Sequence, residues 1–199
     1  MSTTYRIVSA VLLVAVISAV GWYAYKRFTA RVPGLVSEEI VHDGDMWRAD
    51  FTVRIPAEPE AVFDAIRNIE GSRSEQVRNV RVVADSGSSK TVELEMVGPA
   101  GQTSKTTLAF DYFPAENRIT YKTVASPMFE THAEYQLSDE GGSTLLKFHQ
   151  ETQLLQRVPL PDGMMKQVIR GIFVAQLDSL RRSLNVQFAD EPEEEVVVP

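Results

Sequence analysis

The side chains best placed for chemistry in this 199-residue chain are hydroxyl and amide groups set among apolar residues. In four strand-like runs, alternation places Tyr112, Tyr121 and Tyr135 on the side of the neighbouring apolar residues, and Thr131 and Gln150 share that side. Burying such a group without a partner costs roughly 1–3 kcal/mol. These groups are therefore expected either to bond to one another in a solid core or to line a ligand-filled space.

A helical stripe is expected to pack against the same side of these strands. Val168, Ile172, Phe173 and Gln176 recur at helical spacing within residues 162–184. The full set of cavity candidates is Phe51, Phe110, Tyr112, Tyr121, Thr131, Tyr135, Phe148, Gln150, Val168, Ile172, Phe173 and Gln176. No lysine, arginine, histidine or carboxylate is predicted on the inner face, although cyclase or hydrolase chemistry would require a positioned acid or base there. The pattern therefore favours binding over catalysis.

A charge-free apolar run occupies Ile7–Tyr25 and is followed by Lys26, Arg27 and Arg31. As a helix it would span about 30 Å, the hydrocarbon thickness of a bilayer. It is longer than the apolar core of a signal peptide and lacks a clear cleavage site, and buried core helices of this length are rarely apolar all round. We expect an uncleaved single-pass membrane anchor within residues 1–28, with a cleaved signal peptide as the main alternative. The basic residues favour a cytoplasmic domain, with a periplasmic or extracellular one as the alternative.

The rest of the chain has the length of one domain. Residues 29–45 are interpreted as a linker, residues 46–186 as a domain with its own core, and residues 187–199 as a disordered acidic tail. The net charge is −7, and the tail contributes Asp190, Glu191, Glu193, Glu194 and Glu195. A nucleic-acid partner would require a basic face, so none is predicted. The expected partners are the bilayer, through residues 7–25, a hydrophobic small molecule and a membrane protein.

Alternation and helical periodicity predict an α+β domain. A strand ending at Ile55 leads into a helix over residues 58–70, with Pro59 in its first turn. Six further strands are predicted over residues 77–84, 90–97, 104–113, 118–125, 128–138 and 144–155. A long helix over residues 162–184 follows. Consecutive antiparallel strands flanked by helices indicate a curved sheet of about seven strands wrapped on the last helix.

The turn between the last two strands predicts their register. With Asp139–Gly142 as a four-residue loop, Tyr135 opposes Leu146, and His132 opposes His149 on the outer face. Two histidines without a third ligand on an outward face are typically solvated, so no metal site is predicted. The chain has no cysteine, which excludes disulfides, iron–sulfur clusters and thiol catalysis. No cofactor is expected.

This order of elements resembles the SRPBCC (START-like) superfamily, whose members have the helix-grip fold. Ile55–Ile66 (IPAEPEAVFDAI) is similar to the turn from the first strand into a short helix in that family. Ile119–Tyr121 and Ser126–Phe129 are similar to its "I-x-Y…G-P-F" segment, with Ser126 in place of the usual glycine. The resemblance covers about residues 46–186.

Within that superfamily, the sequence motifs most resemble those of the polyketide cyclase/dehydrase-like and coenzyme Q-binding proteins. Their resemblance implies a cavity between the curved sheet and the long helix, suited to a lipid, sterol, quinone or polyketide. Residues 70–76 depart from the family, because they are polar where an aromatic-rich segment is common.

Three functions remain open at this level. The leading hypothesis is a membrane-anchored protein that binds or presents a hydrophobic ligand. One alternative is a polyketide cyclase/dehydratase-like enzyme that depends on Tyr121 or Tyr135. The other is an accessory or structural subunit of a membrane complex, whose cavity has filled in.

Overall fold

The structure is a computed structural model, and it describes residue 32 and residues 34–68, 77–97, 103–156 and 160–186. The predicted membrane anchor, the acidic tail and the polar segment 70–76 lie outside the described residues. Within the described ranges, no helix combines the length and apolar character that crossing a membrane requires.

The described residues form one large antiparallel sheet, two α-helices and a short 3-10 helix. In chain order the elements are β1 (Leu35–Asp43), β2 (Met46–Ile55), α1 (Pro59–Arg67), β3 (Val77–Asp85), β4 (Ser89–Val97), β5 (Thr103–Phe113), a short 3-10 helix (Pro114–Glu116), β6 (Arg118–Ala125), β7 (Phe129–Asp139), β8 (Thr144–Leu154) and α2 (Asp162–Leu184). The strand order across the sheet is β1-β2-β8-β7-β6-β5-β4-β3. This is the α+β helix-grip fold, with α2 as the long helix.

Local sequence signals explain where the helices begin and end. Pro59 occupies the first turn of α1, where its missing N–H costs nothing, and Val62 and Phe63 form the buried face of that helix. Asp162 lies in the first turn of α2, where the helix dipole interacts favourably with a carboxylate. Asn185 ends α2 in a left-handed conformation, with φ of 52°. The predicted span 162–184 of this helix is therefore confirmed.

Strand β1 corrects the sequence analysis, which placed residues 29–45 in a linker. Residues 35–43 instead pair with β2 along their whole length, so the sheet has eight strands where about seven were expected. Only Ile40 of this strand is buried. An edge strand that exposes most of its side chains carries no clear alternation, which is why the pattern was missed.

The β7–β8 hairpin is also shifted from the predicted register. Asp139 pairs with Thr144, so the loop is residues 140–143 and Tyr135 opposes Phe148 instead of Leu146. The Asp139 carboxylate accepts a hydrogen bond from the Gly141 N–H at 2.9 Å, which shapes this turn. Because the shift is two residues, every side chain keeps its predicted face.

Helix α2 covers the inner face of the sheet and buries Ile169, Phe173, Leu177 and Leu180. We call the end of the sheet where β2 finishes at Ile55 the near end. We call the end at the β1–β2 turn, where α2 begins, the far end. The candidate site lies between α2 and the inner face, and extends between these two ends.

Candidate ligand-binding site

Aromatic rings line the inner face in a continuous series across β5, β6, β7 and β8. The ring centroids of consecutive members lie 4.7 to 6.4 Å apart. The members are Tyr112, Phe110, Tyr121, Tyr135 and Phe148, and all are buried. Because neighbouring strands place them on one side of the sheet, the series arises from simple alternation.

Phe173 of α2 meets this series from the opposite side. Its ring centroid lies 4.0 Å from that of Phe51 and 5.2 Å from that of Phe148, and the side chain is 2% exposed. Val168 and Ile172, earlier on the same helix, are half-buried. The two predicted walls of the cavity therefore touch at Phe173, and rings fill the space between them there.

Toward the far end, the inner face becomes polar and uncharged. The hydroxyls of Thr131 and Thr152 lie 2.9 Å apart, and the Gln150 amide donates to Thr152 Oγ1 at 2.7 Å. The Tyr121 hydroxyl donates to Gln150 Oε1 at 3.4 Å. We call these four residues the hydroxyl–amide cluster. Its members satisfy one another, as one of the two sequence-based alternatives expected.

A second tyrosine joins the sheet to α2. The Tyr135 hydroxyl donates to Gln176 Oε1 at 3.1 Å. Burial raises the pKa of the Tyr121 phenol, and the Gln176 side chain partly offsets this. Burial, with a smaller contribution from Tyr121, also raises the pKa of Tyr135. Both phenols therefore remain protonated at neutral pH, where they can donate hydrogen bonds but cannot act as bases.

The structure brings the sequence-predicted candidates to the two facing walls. Seven are the aromatic residues of the packed rings, and Thr131 and Gln150 belong to the hydroxyl–amide cluster. Gln176 bonds to the sheet, and Val168 and Ile172 lie on α2. Their role in contacting a ligand stays a prediction.

One charged residue on the inner face was missed, so the expectation of an uncharged face is wrong at Lys90. This side chain is 7% exposed and lies opposite Phe110 of β5. Its Nζ donates to the Arg67 carbonyl at the end of α1, at 3.3 Å, and lies 3.6 Å from Asp85 Oδ2. Lys90 lies two residues before the buried Val92, so strand alternation places both side chains on the inner face. That spacing is the signal that could have revealed Lys90.

Two surface recesses lie away from the predicted site. One, of about 380 Å³, is lined by Asp64, Arg67, Asn68, Asp85 and Lys90 at the end of α1. The other, of about 480 Å³, is lined by Arg181, Arg182, Asn185 and Val186 at the end of α2. Neither contains any of the cavity candidates.

The outer-face histidines do not face each other. His149 opposes Glu134, and His132 opposes Glu151. His149 Nδ1 lies 2.7 Å from Asp50 Oδ1 in an exposed pair. No group of three or more histidine and carboxylate side chains with metal-binding geometry occurs among the residues that the structure describes.

The fold and this inner face define a START-like helix-grip domain. Residues 46–185 match the family described as "Polyketide cyclase / dehydrase and lipid transport". The chain belongs to that family. A comparison with curated proteins finds no match.

Solved structures show the same fold at low sequence identity. The Zhui aromatase/cyclase from Streptomyces sp. R1128 has a TM-score of 0.57 and 16% identity, over 70% of this chain and 92% of that one. A START superfamily protein from Mycobacterium smegmatis has a TM-score of 0.57 and 18% identity, over 69% and 97%. A STAR-related lipid transfer protein from Xanthomonas axonopodis has a TM-score of 0.57 and 13% identity, over 75% and 99%.

Proposed function

We propose that this protein binds an apolar, uncharged ligand between the sheet and α2, and presents it close to a membrane. The observation that carries the proposal is the composition of the inner face, where a wall of aromatic rings ends in the hydroxyl–amide cluster. The rings suit an apolar body, and the neutral donors and acceptors suit a carbonyl or hydroxyl group on that body. A quinone, a sterol or a neutral lipid has this chemistry.

The ligand is proposed to be uncharged because the hydroxyl–amide cluster contains no charged side chain. An ionised group taken out of water needs an opposite charge at close range. Lys90 is the one lysine, arginine, histidine or carboxylate that is buried among the described residues, and it is bound to the end of α1. The cluster, at the far end, consists of three hydroxyls and one amide. An anionic head group would therefore be poorly stabilised there.

Ligand entry requires rearrangement of the packed walls. The Tyr135–Gln176 and Tyr121–Gln150 hydrogen bonds would be exchanged for bonds to the ligand. A ligand carbonyl or hydroxyl would accept from the phenols in place of the glutamine oxygens, and Phe173 would have to separate from Phe51.

Residues 7–25 are proposed to anchor the domain as a single membrane-spanning helix, with the domain on the cytoplasmic side. The support is the charge-free apolar run and the basic residues that follow it. Retention of the full chain in the membrane after alkaline carbonate extraction tests the anchor. Protease digestion of right-side-out vesicles tests the side, since a cytoplasmic domain stays protected.

Photolabelling in proteoliposomes tests the ligand site. The full chain would be reconstituted with a diazirine-bearing neutral lipid analogue or with a diazirine fatty acid, and labelled peptides would be mapped by mass spectrometry. We expect the neutral probe to label peptides that contain Gln150 and residues 168–176, and the fatty acid to label them several-fold less. Labelling confined to residues 7–25 would refute the site while leaving the anchor intact.

A matched pair of substitutions sharpens this test. Gln150→Leu removes an amide from the cluster, whereas Gln153→Leu makes the same change at an exposed position of the same strand. Only the first is expected to reduce labelling by the neutral probe.

The packed rings favour a second candidate function, that of an accessory subunit of a membrane complex. The rings of Phe51 and Phe173 are stacked with their centroids 4.0 Å apart, which leaves no open space between the two walls at that point. Co-purification of a stoichiometric protein partner in mild detergent, together with absence of labelling at the inner face, would support this function over ligand binding.

A further inference from the structure

An ion pair and a histidine–carboxylate hydrogen bond connect edge strand β1 to the N-terminal half of α2. Glu38 Oε2 lies 2.9 Å from Arg170 Nε, and His42 Nδ1 lies 3.0 Å from Asp162 Oδ2. Four residues of a strand cover about 13 Å, and eight residues of a helix cover about 12 Å. The spacing of the two contacts on β1 therefore matches their spacing on α2, and the two elements run antiparallel.

The two contacts differ in how far they are shielded from water. The side chains of Glu38 and Arg170 are only 25% and 15% exposed, so this pair is screened less than an ordinary surface pair. The His42 ring is stacked on Trp47, with centroids 4.1 Å apart and planes 4° apart. The stack fixes the imidazole in position to meet Asp162, because Trp47 is itself 4% exposed and anchored in the core.

Among the described residues, strand β1 is held to the domain mainly by its pairing with β2. It is an edge strand in this part of the chain, and Ile40 is its one buried side chain. Val36 and Val41 are 53% and 38% exposed. A strand held in this way can separate from the sheet at a lower cost than a central strand.

We infer that β1 is a strap that fastens the N-terminal half of α2 over the inner face. While both contacts are formed, α2 is held against the sheet at two points along residues 162–170. Release of the strap leaves the start of the helix with Ile169 as its one buried side chain and free to lift more readily, while Phe173, Leu177 and Leu180 keep the rest of the helix packed on the core. The strap therefore controls access to the inner face from the far end.

Hydrogen–deuterium exchange of the full chain in detergent tests the fastening directly. Glu38→Arg and Arg170→Glu each place like charges together, and the double substitution restores an opposite pair. We expect each single substitution to accelerate amide exchange about tenfold in residues 163–172, with little change in residues 176–184. The double substitution should return exchange close to the wild-type rate.

A control substitution separates the strap from general effects of charge. Arg48→Glu breaks the Arg48–Glu151 pair, which has a similar distance of 3.1 Å but joins β2 to β8 on the outer face. It should leave exchange in α2 unchanged. The strap is refuted if the single substitutions leave α2 unchanged, if they accelerate exchange uniformly, or if the control has the same effect.

Control of ligand access by the strap rests on the proposed function, and a separate measurement tests it. In the photolabelling assay, Glu38→Arg is expected to increase the rate at which the neutral probe reaches peptides containing residues 168–176. Faster exchange without any labelling in wild type or variant would refute the ligand site and leave the strap standing. Unchanged exchange together with normal labelling would refute the strap and leave the ligand site standing.

Discussion

Phe173 is the residue whose removal should most clearly reveal how the inner face is packed. Its ring is 2% exposed and contacts the rings of Phe51 and Phe148. Truncation of a buried phenylalanine to alanine costs about 3–5 kcal/mol, through lost burial and the cavity that remains. The Phe148–Phe173 pair, with ring centroids 5.2 Å apart, lies within the range in which an aromatic contact adds about 0.5–1.5 kcal/mol. The closer stack on Phe51 adds further contact, which favours the upper part of that interval. We therefore expect Phe173→Ala to lower the free energy of unfolding by about 4–5 kcal/mol.

Urea unfolding of the full chain in a mild detergent, followed by far-ultraviolet circular dichroism, measures this loss. Met164→Ala is the matched control, because Met164 lies on the same helix and is 56% exposed. The control should change the free energy by less than about 0.5 kcal/mol. A loss below about 1 kcal/mol for Phe173→Ala would show that the ring faces a space that readily collapses or is already open, and would refute the packed arrangement.

Three further predictions concern other parts of the domain. Lys90→Ala removes the donor to the Arg67 carbonyl, and should destabilise the domain by about 1–3 kcal/mol in urea unfolding; a neutral result would show that α1 does not depend on this bond. Thr144→Val removes the hydroxyl that donates to a backbone carbonyl at 2.7 Å, and should cost about 1–2 kcal/mol in the same assay; Ser138→Ala, at an exposed hairpin position, is the control. The pKa values of Tyr121 and Tyr135 are raised on folding, so the stability they contribute is present below the ordinary tyrosine value of about 10 and is lost as pH rises further. In an alkaline titration at 295 nm, both phenols should ionise only as the domain unfolds, and ionisation before unfolding would contradict their burial.

The central strands and both helices were predictable because their side chains have strong periodic patterns. The span of helix α2 was predictable because its apolar stripe continues at helical spacing through residues 162–184. The inner face was predictable for the same reason, and Phe51, Phe148 and Tyr135 are buried as alternation requires. These features depend on local sequence alone.

Other features depend on contacts between distant parts of the chain. Strand β1 forms because β2 offers an open edge, and its own sequence carries no alternation that predicts this pairing. Both registers of the β7–β8 hairpin place the same residues inside, so hydrophobic pattern could not choose between them. The contact between Phe173 and Phe51 joins residues far apart in the sequence, and only the fold reveals that it closes the predicted space at that point.

The direction of β1 has a consequence for where the site would face. The backbone N–H of Arg54 donates to the Gly34 carbonyl at 2.8 Å, so β1 starts at the near end of the sheet. With an anchor ending at residue 25, the six residues 26–31 could reach at most about 20 Å, which keeps the near end beside the bilayer. The far end then points away from that bilayer by the length of the strands, about 30 Å. Its exposed apolar side chains, Met128, Leu155, Leu160 and Met164, would accordingly meet the aqueous compartment or whatever lies across it. A ligand presented at this end would stay within the combined reach of linker and strands, about 50 Å from its own bilayer, so the anchor would set how far from the membrane the ligand is delivered.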